Sequence, residues 1–193
     1  TGTFTHNAFN YTIYGDFTTP AAMTWNNTGA GTLTFAATSG TQTITTNGET
    51  ISNITMTGVG GTRTLGSDLT VNSARTLTLT SGTFNANNYN VSTGLFSSSN
   101  SNTRTITMGS GTWTLTGTGT VWDLATTTGL TLNQNTSTIL LSDTSTTART
   151  FAGGGLTYNN LTIGGATGTS TLTITGTNTC LLYTSPSPRD RQK

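Results

Sequence analysis

Five carboxylates stand in the first 179 residues: Asp16, Glu49, Asp68, Asp123 and Asp143. Two of them held about 5–9.5 Å apart in one groove could hydrolyse a glycosidic bond, one as acid and one as base or nucleophile. They occur singly, however, in GDF, GET, SDL, WDL and SDT contexts. A short acid in such a turn or strand-edge setting bonds local backbone. Only stacking of chain segments could bring a catalytic pair together. His6 is the single histidine, so any Ser-His-Asp triad would rest on it alone. A zinc site lacks a second His or paired Cys. GVGGTRTLGSDL (58–69) has the glycines and one acid of a calcium-binding coil, but neither its spacing nor its repetition. GVGG (58–61) and GGG (153–155) lack the Lys and the helix of a phosphate loop. The residues therefore point to no catalytic centre, no metal site and no cofactor, and the chain is expected not to be an enzyme.

Three other residue classes could meet a ligand. Trp113, Trp122, Tyr89 and Tyr158 could stack on sugar rings. Trp113 alternates with Leu115 and reads as core. Trp122 breaks the alternation at Val121-Trp122 and reads as the better surface residue, so Trp122, Tyr89 and Tyr158 are the candidate ligand contacts. Four arginines recur in one frame, TRTL (62–65), ARTL (74–77), TRTI (103–106) and ARTF (148–151). They are expected to point sideways or outward and to bond carbonyls at corners. A row of them could bind sugar or phosphate only if they aligned, and spacings of 12, 29 and 45 argue against that. Finally, T-x-T phrases such as TLT (32–34), TLTLT (76–80) and TWTLTGTGT (112–120) put threonine hydroxyls on one side of a strand. Regular ranks of such hydroxyls could bind ice, although the same pattern is a soluble outer face for any β-repeat.

These residues must be held by β-structure. The chain has 193 residues, with 31% hydrophobic, 7% charged, 24 Gly and 54 Thr. Threonine is stiff at χ1 and suits a pleated, half-wet surface. Before residue 180 there are four Arg against five acids, no Lys and no Cys, giving a net charge of −1. So few cations leave no footprint for nucleic acid or anionic lipid. The longest aliphatic run, Ile139-Leu140-Leu141, predicts no membrane insertion. Six N-x-S/T sequons, at Asn10, Asn26, Asn53, Asn90, Asn135 and Asn160, are what this composition produces by chance.

Period-2 alternation recurs from residue 31, with Leu33/Phe35, Ile54/Met56, Leu77/Leu79, Ile106/Met108, Trp113/Leu115, Leu130/Leu132, Leu161/Ile163 and Leu172/Ile174 on one side. Gly, Asn and Ser clusters separate these runs, supplying residues that accept φ > 0. No helical period appears. ARTLTLTSGTF (74–84) aligns with TRTITMGSGTW (103–113) at a separation of 29. Such self-similarity predicts an all-β fold: a parallel β-solenoid, right-handed β-helix-like, with coils of roughly 20–30 residues. An antiparallel β-sandwich is the alternative. Residues 1–30 form an aromatic-rich start of the repeat region or a cap, and 31–179 the degenerate repeats.

TSGTQTITTNG (38–48), GVGGTRTL (58–65), GLFSSSNSNTRTITMGSGTWTLTGTGTVWD (94–123) and RTFAGGGLTYNNLTIGGATGTSTLTITGTNT (149–179) resemble Thr/Gly/Asn-rich β-strand-repeat proteins of environmental phage and bacterial surfaces. The resemblance implies a modular virion fibre or cell-surface protein, outside the cell, whose partners are surface glycans or other fibre subunits. Residues 180–190, CLLYTSPSPRD, resemble a translated sequencing adapter over eleven residues without a gap. That resemblance implies that 180–193 is a non-native tail and that gene-derived sequence stops near Thr179. The expected function is thus a non-catalytic structural or adhesive repeat module. A carbohydrate-active β-helix enzyme of the phage depolymerase type and an ice-binding threonine array are the alternatives.

Overall fold

The computed structural model describes residues 2–27, 29–164 and 171–184. Among these residues there is no helix, and every strand pair is parallel. Parallel pairing excludes the antiparallel sandwich. The chain is a β-solenoid.

Each coil lays down one short strand on each of up to three sheets. The first sheet has eight strands, from Tyr11–Ile13 through Asn53–Met56 and Leu95–Ser97 to Leu172–Thr175. The second has six, from Phe17–Thr18 to Leu130–Asn133, and the third seven, from Thr50–Ile51 to Thr179–Thr184. Gly2–Thr5 pairs with Met23–Asn26 in a separate two-stranded sheet. Within residues 2–27, Tyr11–Ile13 and Phe17–Thr18 head the first two sheets. At the other end Thr179–Thr184 lies parallel to Thr157–Ile163. The adapter-like stretch 180–190 therefore continues the third sheet as far as Thr184, and 185–193 lie outside the described residues.

Register makes the core. Leu33, Ile54, Leu77 and Phe96 are successive partners on the first sheet, and Trp122 and Phe151 continue the column. All six are buried. The alternation expected from the sequence thus becomes an axial pile in which each inward side chain rests on the one before it. Leu130, Leu132 and Leu172 are only half buried and Ile174 is exposed. Their strands end the second and first sheets, so they have a neighbour on one side only.

Aromatic rings thicken the pile in two places. Phe96 stacks on Trp122 at 4.6 Å, and Trp113 meets Phe84 and Phe96 edge-on at 5.5 and 5.3 Å. In the first coil Trp25 packs against Phe4, His6 and Phe17 at 4.6, 5.6 and 5.5 Å. Edge-on and offset geometry is what the ring quadrupole favours.

The 29-residue phrase repeat does not mark equivalent rungs. Thr76–Leu79 lies on the first sheet and its phrase partner Arg104–Thr107 on the second. The repeated unit is a strand, a corner and a strand, and it slides one sheet round the coil between copies. Coils themselves advance by 19 to 30 residues along the first sheet.

The arginines bond corner carbonyls as expected, but from the inside, which corrects the expectation that they point sideways or outward. Arg63, Arg104 and Arg149 are at most 1% exposed and face inward, two residues from the buried Leu65, Ile106 and Phe151. Arg75 is half buried. The reason lies at the corner between the first and second sheets, where the chain turns and carbonyls face inward; of those that Arg63 meets, Gly61 O and Phe35 O also accept from Thr83 N and Thr57 N, at 2.9 and 3.0 Å. Arg63 Nη1 donates to Gly58 O and Gly61 O at 2.9 and 2.8 Å. Its Nη2 donates to Phe35 O and Ala37 O of the preceding coil at 3.2 and 2.8 Å. Gln42, the in-register partner of Arg63, makes the same link one coil earlier, donating to Ile13 O and Gly15 O at 3.1 and 2.8 Å. Arg104 reaches the other way, to Thr126 O and Thr128 O of the next coil, while holding Ser98 and Asn102 of its own. Burial lowers the pKa of Arg63 and Arg104, yet guanidinium stays protonated and acts as a multi-armed donor.

Glycine spacing follows from this cradle. A Cβ on Gly58 would stand 1.8 Å from Ala37 O and 2.1 Å from Arg63 Nη2. One on Gly82, where φ is +78°, would stand 2.3 Å from Gly58 O. Arg63→Met leaves the Ala37 and Gly58 carbonyls buried without a donor, at about 1–3 kcal/mol each. Arg63→Gln can restore two of the bonds, as Gln42 does. Urea denaturation is expected to rank stability as wild type, then Arg63→Gln, then Arg63→Met. Equal stability of the two variants would contradict the corner assignment.

Candidate functional site

The expected ligand contacts are not on the surface together. Trp122 and Tyr158 are buried, at 0% and 1% exposure, and Tyr89 is half buried against the core. The expectation that Trp122 faces solvent is corrected. The register shifts between Thr120 and Trp122, a β-bulge, so that Val121 and Trp122 both turn inward. A bulge inserts one residue and re-aims its neighbours. Trp122 Nε1 donates to Tyr158 Oη at 3.2 Å, and Tyr158 Oη donates to Gly153 O at 2.8 Å. The two rings serve as a hydrogen-bonded core pair.

The five carboxylates each accept a backbone N–H. Asp16 takes Thr43 N at 2.7 Å, Glu49 takes Trp25 N at 3.1 Å, and Asp68 takes Asn90 N at 2.8 Å. Asp123 takes Ala125 N at 3.2 Å and Asp143 takes Ser145 N at 3.1 Å. Glu49 and Asp68 immediately precede two neighbouring strands of the third sheet, Thr50–Ile51 and Leu69–Val71. Glu49 reaches back to the preceding coil and Asp68 forward to the following one. Among the described residues no three His, Cys, Asp or Glu side chains gather where a metal ion could bind. His6 is buried, with Nε2 2.9 Å from Phe9 O.

What the coil does present to solvent is threonine in register. On the second sheet Thr41, Thr62, Thr83, Thr105 and Thr131 are successive partners. Two residues on, Thr43, Thr64, Asn85, Thr107 and Asn133 form a parallel rank. All ten are half buried or exposed. The other faces are interrupted. The first sheet's rank of Thr12, Thr34, Thr55 and Thr78 runs into Ser97 and Asp123. On the third sheet the rank of Thr70, Ser92 and Thr114 meets Leu140. The T-x-T phrases thus align although the coils differ in length. The unevenness is absorbed in the corners, leaving the strands in step.

No protein-family model, no curated protein and no solved structure matches the chain.

Burial of Tyr158 pushes its phenol pKa well above the usual value of about 10, while the Trp122 N–H pulls partly against that shift. The folded chain then holds this proton more tightly than the unfolded chain. The resulting stability is fully present below about pH 10 and is lost as the pH rises above it. Urea denaturation is expected to show unfolding free energy falling above that pH, and Tyr158→Phe is expected to fall less steeply. Equal slopes would contradict a buried, protonated phenol.

Proposed function

We propose that the chain is a structural or adhesive repeat module of a virion fibre or cell-surface protein, acting outside the cell without catalysis. One observation carries the non-catalytic reading. Each carboxylate before residue 180 accepts a backbone N–H, which supports a structural role for it. Stacked coils also suit spacing. Eight strands on one sheet, about 4.8 Å apart, make a stiff stack about 34 Å from first strand to last from a chain of modest hydrophobicity. Such a stack can be lengthened coil by coil, because each coil contacts only its neighbours.

Under this reading the partners are cell-surface glycans or other subunits of the fibre. The depolymerase alternative needs two carboxylates aimed into one groove. Glu49 and Asp68 are directed along the axis in opposite senses instead. The test is incubation of the full chain with a panel of bacterial capsular polysaccharides and assay of reducing ends. No release is expected. Release that disappears in Glu49→Gln or Asp68→Asn would overturn the reading.

A further inference from the structure

We infer that the outer face of the second sheet is an ice-binding surface. The inference goes beyond the spacer role and does not rest on it. Two ranks, one through Thr83 and one through Asn85, run five coils without a charged, aliphatic or aromatic member. Their members repeat about 4.8 Å along the axis and about 6.6 Å along each strand, the spacings that β-geometry imposes. The face is therefore a neutral lattice of hydroxyl, methyl and amide groups with a fixed two-dimensional period.

Three properties select the ligand. The first is charge. The ten ranked residues carry no ionised group, and the acid beside them, Asp16 against Thr43 N, would repel an anionic polymer or nucleic acid, so the face matches a neutral partner. The second is the state of the hydroxyls. Among the described residues, those of Thr41, Thr62, Thr83, Thr105 and Thr131 make no hydrogen bond to the protein, whereas the Thr19, Thr46, Thr93 and Thr116 hydroxyls all bond backbone carbonyls. The hydroxyls of that rank are left to water, whereas in the second rank Thr107 Oγ1 accepts from Asn133 Nδ2 at 3.2 Å. The third is rigidity. β-Branched side chains on a pleated strand have restricted χ1, so neighbouring threonines present hydroxyl and methyl alike. Little side-chain entropy is then lost on binding.

Each threonine holds a water molecule weakly. Eight threonines and two asparagines act together only on a partner that repeats in two dimensions at matching spacing, where every contact after the first is intramolecular. The surface of an ice crystal is such a partner, neutral and periodic on this length scale. A crystalline polysaccharide is also periodic, but the face has no aromatic ring on which a sugar could stack. The first and third sheets serve as built-in controls, because Asp123 and Leu140 break their ranks.

The experiment measures ice recrystallisation and thermal hysteresis with the full chain, with Thr83→Tyr in the middle of the rank, and with Thr78→Tyr on the first sheet. Thr105→Lys is the second rank variant. Circular dichroism melts establish that each variant is folded. The wild type and Thr78→Tyr are expected to slow recrystallisation, and Thr83→Tyr and Thr105→Lys to lose that effect while melting as the wild type does. A wild type without effect on ice overturns the inference. So does loss of activity in Thr78→Tyr equal to that in the folded rank variants, or retention by crystalline cellulose without any effect on ice.

Discussion

The backbone ladder between coils is the constraint on which everything else rests. Every described strand that does not end a sheet finds its hydrogen-bond partners in the coil before and the coil after, in parallel register. Once two coils are in step, side-chain parity is fixed, because a one-residue slip would exchange every inward and outward group. The ladder therefore decides at once which residues form the core and which ranks face water. It also creates the fold's main difficulty. At corners the chain leaves the ladder, and some carbonyls turn inward with no strand to satisfy them. A buried peptide carbonyl without a donor is costly. Gln42, Arg63 and Arg104 answer this by filling the corner with amide or guanidinium donors. Cations that look like surface groups in a weakly charged sequence are thus interior ties between successive coils.

Much of this architecture was legible in the sequence. Alternation identified Leu33, Phe35, Ile54, Met56, Leu77 and Leu79 as core, and all are buried. It worked because a parallel stack is the structure that period-2 patterning describes most directly. What it missed involved context beyond the strand. The adjacent Val121 and Trp122 suggested a surface tryptophan, whereas a bulge takes both inside. Arg63 was placed outside because charge normally outweighs parity, and only the corner carbonyls reverse that preference. The phrase repeat overstated the equivalence of its copies, since the same strand-and-corner unit serves different sheets.

The surface tells a complementary story. Where the coil faces solvent it carries hydroxyls and amides rather than charges, and its few acids are tied to backbone N–H groups. Its aromatic residues beyond the first coil are mostly inside, stabilising the pile rather than offering platforms to sugars. Function on such a molecule falls to geometry, through axial spacing and through periodicity across a face.

The central claim is the register, and crosslinking tests it most directly. Strand partners about 4.8 Å apart lie within the Cα range of about 4.4–6.8 Å that a disulfide accepts. In a Cys180→Ser background, cysteines at Thr62 and Thr83, which are direct partners on the second sheet, are expected to close a disulfide on mild oxidation. Cysteines at Thr62 and Asn85, two residues out of step, are expected to stay reduced. Preferential closure of the 62–85 pair, or of neither pair in the folded protein, would contradict the stacked, in-register coil.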